Sequence, residues 1–339
     1  MSDPTERPTA EPEVEEAAKR DEREGTRPDG GHPDATAAVS ALDGGTDAEA
    51  TDSMSQATAD AAETEASDGV RDALRHVFVV AVTEYRLAVR SRWALALTGL
   101  FVVFGGVIMT FSGSAVGPAG AERVVASLTS LAAYLVPLAA LALGYDAIVG
   151  REDEGWLAVV FSLPVRRSEV VAGTYLGRGT VLAGATVLGF AFTGALIVRE
   201  FGIGALSAFL GFLGGAVAVG AAFLSVAILL STVASEKTHA LGASLLVWVW
   251  FVLVHDLLAL GVVAAVELPD AALSALVLSN PVSAFRVLVL SGLGTTAGGG
   301  FTAVLAGSGL STVSLSLALV AWCVVPLAAA AVLVRRRRL

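Results

Sequence analysis

Beyond residue 92 the apolar positions of this chain come in long unbroken runs rather than in periodic stripes. Six runs stand out: Trp93–Phe111, Val124–Val149, Gly179–Val198, Ala205–Val233, Ala240–Val266 and Ser314–Val334. A helix needs about 20 apolar residues at ~1.5 Å rise to cross a ~30 Å hydrocarbon core, and each run meets that length. Leu, Val, Ala and Gly dominate them without alternation of period two, which argues against a transmembrane barrel. Six membrane-spanning helices are therefore predicted. Ahead of the first lies Val70–Arg92, where Leu74, Val77, Phe78, Ala81, Tyr85, Ala88 and Val89 recur at three- and four-residue steps. With Arg71, Arg75, Arg86 and Arg90 elsewhere on the wheel, this is a helix suited to the membrane interface, and one that could also bind a partner.

The first 69 residues carry almost no large apolar side chain and cannot bury enough surface to offset chain entropy. They are read as a disordered tail, and without a basic start and an apolar core they are not a signal peptide. The fold class that follows is all-α: a polytopic membrane protein with a tail over 1–69 and a six-span domain over 70–339. Charge sharpens the division. The tail holds 19 acidic residues against 5 basic, a net −14, and the remainder holds 13 against 17, a net +4. Lys19 and Lys237 are the only lysines beside 20 arginines, an acidic, lysine-poor composition that suits a high-salt cytoplasm.

Arginine placement orients the spans. With the N-terminus inside, 14 Lys and Arg fall on the cytoplasmic side and three (Arg123, Arg199, Arg286) outside, so both termini are placed in the cytoplasm. Arg335–Arg338 reads as an anchor on anionic headgroups. The lone Cys323 excludes a disulfide scaffold and suits apolar packing. No basic stripe beside aromatic platforms is present, so no nucleic-acid partner is expected.

The connection between spans two and three, 150–178, is the richest stretch. Arg151, Glu152, Asp153 and Glu154 form a charge cluster, and an amphipathic stretch, Trp156–Phe161, follows. Pro164 then precedes Arg166 and Arg167, and Ser168 is placed to cap a new helix. Two spans can be joined by a few residues, so a connection this long asks for a purpose. A solvated loop would account for the charges alone. Together with Trp156 and Pro164 they read as a lever on which a soluble protein docks.

The strings GYDAIVGREDEGW and FSLPVRRSEVVAGTYLG resemble the signature of ABC transporter type-2 permeases, in particular the NosY-like branch. Glu84-Tyr85-Arg86, Arg90-Ser91-Arg92-Trp93, Asn280-Pro281-Val282 and Phe285-Arg286 agree with it, and the likeness covers about 75–339. The chain departs from the pattern at Thr174, where many members carry Lys. The resemblance implies a permease working as a homodimer in the cell membrane, each copy docking an ABC ATP-binding subunit through Arg151, Glu152, Asp153, Glu154, Trp156, Pro164, Arg166 and Arg167. ATP and Mg would be held by that partner. The branch implies copper or sulfur supply for nitrous oxide reductase maturation, with export of lipid, peptide or drug as the alternative cargo class. The residues agree with a dependent role: no Gly-x-x-x-x-Gly-Lys-Ser/Thr string exists to cradle phosphates, so the chain is not expected to be an enzyme.

His255 and Asp256 lie inside the fifth run. Intramembrane ionisable residues usually face a cavity or a partner, so the pair is a candidate for the transport pathway, or for a self-contained secondary transporter. Metal binding is not expected, because the four histidines are scattered and soft copper sites want clustered thiolates or thioethers. Gly211 and Gly215 suit close helix contact. The outer loop, 267–313, is partly apolar and is predicted to hold one or two short helices that dip into or cap the membrane.

Overall fold

A computed structural model describes residues 71–90, 92–112, 118–153, 166–293 and 310–336; the tail lies outside them. The described residues form helices and no strand. In chain order these are α1 (71–90), α2 (Trp93–Ser112), α3 (Pro118–Gly144), α4 (Val149–Asp153), α5 (Arg167–Phe201), α6 (Leu206–Val233), α7 (Lys237–Val249), α8 (His255–Ala265), α9 (Asp270–Leu278), α10 (Pro281–Gly292) and α11 (Thr312–Arg336). A π turn, Trp250–Val254, joins α7 to α8. Six helices are long and apolar enough to span: α2, α3, α5, α6, α7–α8 and α11. Arg92, at φ 61°, supplies the left-handed residue that turns the chain from α1 into α2.

The ends of the elements differ from the expectation in three places. The run Val124–Val149 is not one helix, because α3 stops at Gly144 and four turn residues precede α4. The third span begins at Arg167 rather than Gly179, so twelve residues assigned to the 150–178 connection belong to α5. Ser168 does not cap that helix. Arg166 is the cap residue, and its backbone N–H donates to Glu169 Oε2 at 3.2 Å. The outer loop does contain two helices, α9 and α10, bent by 111° against each other at Ser279-Asn280.

Spans two and four, α3 and α6, form the centre of the bundle, and α7–α8 is the most peripheral. Phe190 stacks on Phe101 and meets Phe212 edge-to-face in the core, with ring centroids 5.1 Å apart at each step. Gly215 admits the Phe285 ring, which would lie 2.9 Å from an added Cβ, whereas Gly211 faces open space. Close helix contact is thus a property of one glycine of that pair.

Candidate functional site

At the arginine-rich end of the bundle, α1 lies directly on α5. A Cβ added to Gly173 would come within 2.6 Å of Val80 Cβ, and one added to Gly177 within 2.4 Å of Glu84 Cβ. Two glycines four residues apart let the backbones approach, as small-xxx-small pairs do inside membranes. The approach carries Glu84 into the protein, where it is 3% exposed. Its carboxylate pairs with Arg151, sits 3.5 Å from Arg178 Nε, and accepts a hydrogen bond from Thr174 Oγ1 at 3.2 Å. Arg178 reaches onward to Asp146 Oδ1 at 2.6 Å. Two carboxylates and two guanidiniums from α1, the α3–α4 turn, α4 and α5 therefore meet along one cleft of about 300 Å³, beside Leu87 and Trp93.

The α3–α4 break is built into the same node. Arg178 also donates to the carbonyl of Leu143, one of the acceptors a helix end leaves open. Ser231 Oγ, at the end of α6, accepts from the backbone N–H of Ile148 at 2.9 Å and of Val149 at 3.1 Å. Gly150 lies against the Lys237 stem, whose Cε would be 2.9 Å from an added Cβ. The turn is thus gripped by α5, α6 and α7.

A second tie joins the first turn of α5 to its neighbours. Glu169, buried, meets His76 Nδ1 of α1 at 3.1 Å. Arg167 donates to the carbonyl of Val334 at 3.3 Å, and Arg335 donates to Ser168 Oγ at 3.1 Å, so the end of α11 is fastened to the start of α5.

Deeper in the bundle, Asp256 pairs with Arg286 and accepts from Ser283 Oγ at 3.3 Å. His255 Nε2 lies 3.3 Å from Ser279 Oγ. Asn280, fully buried, accepts from Val282 N at 2.8 Å through Oδ1 and donates from Nδ2 to Phe251 O, inside the π turn, at 2.7 Å. The Arg286 guanidinium lies over the Tyr134 ring, 5.3 Å from its centroid.

A family model described as ABC-2 family transporter protein matches residues 78–339. The chain belongs to the ABC-2 transporter family. Two curated relatives are similar over most of it, both named probable ABC transporter permease protein NosY. The one from Pseudomonas aeruginosa is 39% identical over 270 residues, 77% of this chain and 98% of the relative. The one from Stutzerimonas stutzeri is 36% identical over 274 residues, 78% of this chain and 99% of the relative. The chain is a multi-pass membrane permease subunit of an ABC transporter.

Within this ABC-2 permease, Arg151 and Arg167 of the expected docking set lie inside the node and its α5–α11 tie, and Arg166 is exposed. Glu152 and Asp153 continue α4, while Glu154, Trp156 and Pro164 lie outside the described residues. The expectation missed Glu84 as the centre of the node. A signal was available: Glu84 falls three residues after Ala81 and four before Ala88, a carboxylate on the apolar stripe of an amphipathic helix. Thr174, singled out as a departure from the family pattern, also gains a role, since its hydroxyl donates to Glu84. Arg286, counted with the outer loop, is 12% exposed and paired inside the bundle.

Proposed function

We propose that a separate ABC ATP-binding subunit docks on the segment 150–167, and that closure of two such subunits rocks the spans of a permease homodimer between inward- and outward-facing states. Both termini and the arginine-rich end face the cytoplasm in this reading. One observation carries it: Glu84 is bonded at once to Arg151, at the root of the docking segment, and to α5 through Arg178 and Thr174. A push on α4 reaches α1 and α5 through charge-assisted bonds and a glycine contact rather than through a slack loop. Coupling is carried by such packed, hydrogen-bonded elements. Within the family reading, the NosY-like resemblance supports copper or sulfur supply for nitrous oxide reductase maturation as the cargo.

The test is purification of the tagged full chain from its native membranes in mild detergent at high salt. A stoichiometric ATP-binding subunit with ATPase activity is expected to copurify. Reversal of Glu152, Asp153 and Glu154 to Lys is expected to abolish that association at unchanged membrane insertion. Unchanged complex yield after the reversal would overturn the docking assignment.

A further inference from the structure

The hairpin α9–α10 brings a chain break into the interior of the bundle, and two yardsticks fix its depth. Trp322, whose indole donates to Leu278 O at 3.1 Å, lies ten residues into α11. His255, which meets Ser279, lies ten residues before the end of α8. At ~1.5 Å per residue each stands about 15 Å below the far end of its helix, near half the hydrocarbon depth. Irregular backbone at such depth persists only where protein groups satisfy it. Asn280 does this for two irregularities together: one end of its amide caps α10, and the other fills the Phe251 carbonyl of the π turn.

We propose that Asn280 and the Asp256–Arg286 pair clamp this hairpin to span five, and that the clamp stays closed through the transport cycle. They are positioning residues. Opening the ion pair would strand two charges away from water, and opening the amide would strand a buried donor and a carbonyl. Tyr134 of α3 is touched from both sides of the π turn: Trp248 of α7 donates to its carbonyl at 3.0 Å, and Arg286 of the hairpin covers its ring. The clamped hairpin is seated further on α6, where Phe285 lies against Gly215, and on α11, through Trp322.

The clamp stands on geometry alone; its staying closed through a transport cycle rests on the ATP-driven reading above. The experiment uses the full chain with its copurified ATPase, with Cys323→Ala, His255→Cys and Ser279→Cys and a short thiol-reactive cross-linker. Equal cross-linking yield is expected without nucleotide, with ATP and Mg, and after vanadate trapping, with ATPase activity kept in the cross-linked protein. A yield that falls on trapping, or cycling lost on cross-linking, overturns the lasting clamp. Independently of nucleotide, Asp256→Arg is expected to slow cross-linking about tenfold and Asp256→Arg with Arg286→Asp to restore it. Should Asp256→Arg fail to insert, Asn280→Ala is expected to slow cross-linking severalfold. An unaffected rate in either variant overturns the clamp. Arg166→Cys serves as the control on the other reading: thiol labelling there that ignores nucleotide refutes the docked ATPase, and the charge-swap arm still judges the clamp.

Discussion

At the arginine-rich end two arginines and two carboxylates share one cleft, whereas in the middle of the bundle one arginine faces one carboxylate, with His255 and Ser283 beside it. The first set is redundant. Arg178 reaches Glu84, Asp146 and a helix-end carbonyl, and Asp146 is 39% exposed, so water can stand in when one contact opens. The second set has less reserve: Arg286 faces the single carboxylate of Asp256, which has only Ser283 Oγ and the His255 ring beside it, within the spans. A network with spare partners near water can change its pairing at small cost, which fits a joint that transmits movement. A single pair far from water resists opening, which fits a joint that stays closed.

The comparison breaks most decisively at Asp256. Asp256→Ala leaves Arg286 unpaired at depth and is expected to destabilise the purified full chain by ~3–5 kcal/mol, read as a lowered Tm in detergent. Removing both charges with Asp256→Ala and Arg286→Leu should recover much of that loss. Glu84→Gln should cost less, about 1–3 kcal/mol, because Asp146 still holds Arg178 and the cleft admits water. If Glu84→Gln proves the more damaging, the assignment of reserve to the outer network is wrong. Gly177→Leu should cost ~1–3 kcal/mol by forcing α1 off α5, and should lower ATPase coupling more than stability. The smallest effect is expected at Gly211→Ala, neutral or stabilising by up to ~1 kcal/mol, since an added Cβ there meets nothing within 4 Å. Gly215→Ala, facing Phe285, is the matched control and should lower Tm.

The spans were legible because bilayer thickness dictates the length of an apolar run, and a run of that length can be counted. What hydropathy could not show is where a helix breaks inside such a run. Gly144 and the π turn at Trp250–Val254 both lie within apolar stretches, and each break is held by groups distant in sequence: Ser231 for the first, Asn280 for the second. Arg286 was counted with the outer side for a related reason: the apolar stretches of 267–313 suggested helices that dip into or cap the membrane, but not that Asp256 of span five would pair with an arginine there. The segment proposed for docking was singled out from its charges together with Trp156 and Pro164, but the carboxylate that binds Arg151 comes from α1, 67 residues earlier, brought there by two glycines of α5.

Helix α5 has 35 residues, no proline and no π turn, and at ~1.5 Å per residue it is an unjointed rod of roughly 52 Å. A rod without a joint has nowhere to absorb a tilt. Fastened at Arg167, Glu169 and Arg178 near one end, it would carry a lean of about 5° to the opposite end as a sweep of roughly 4–5 Å. That sweep approaches the width of a small solute, so a modest rotation at the arginine-rich end is geometrically enough to open or shut a passage at the other.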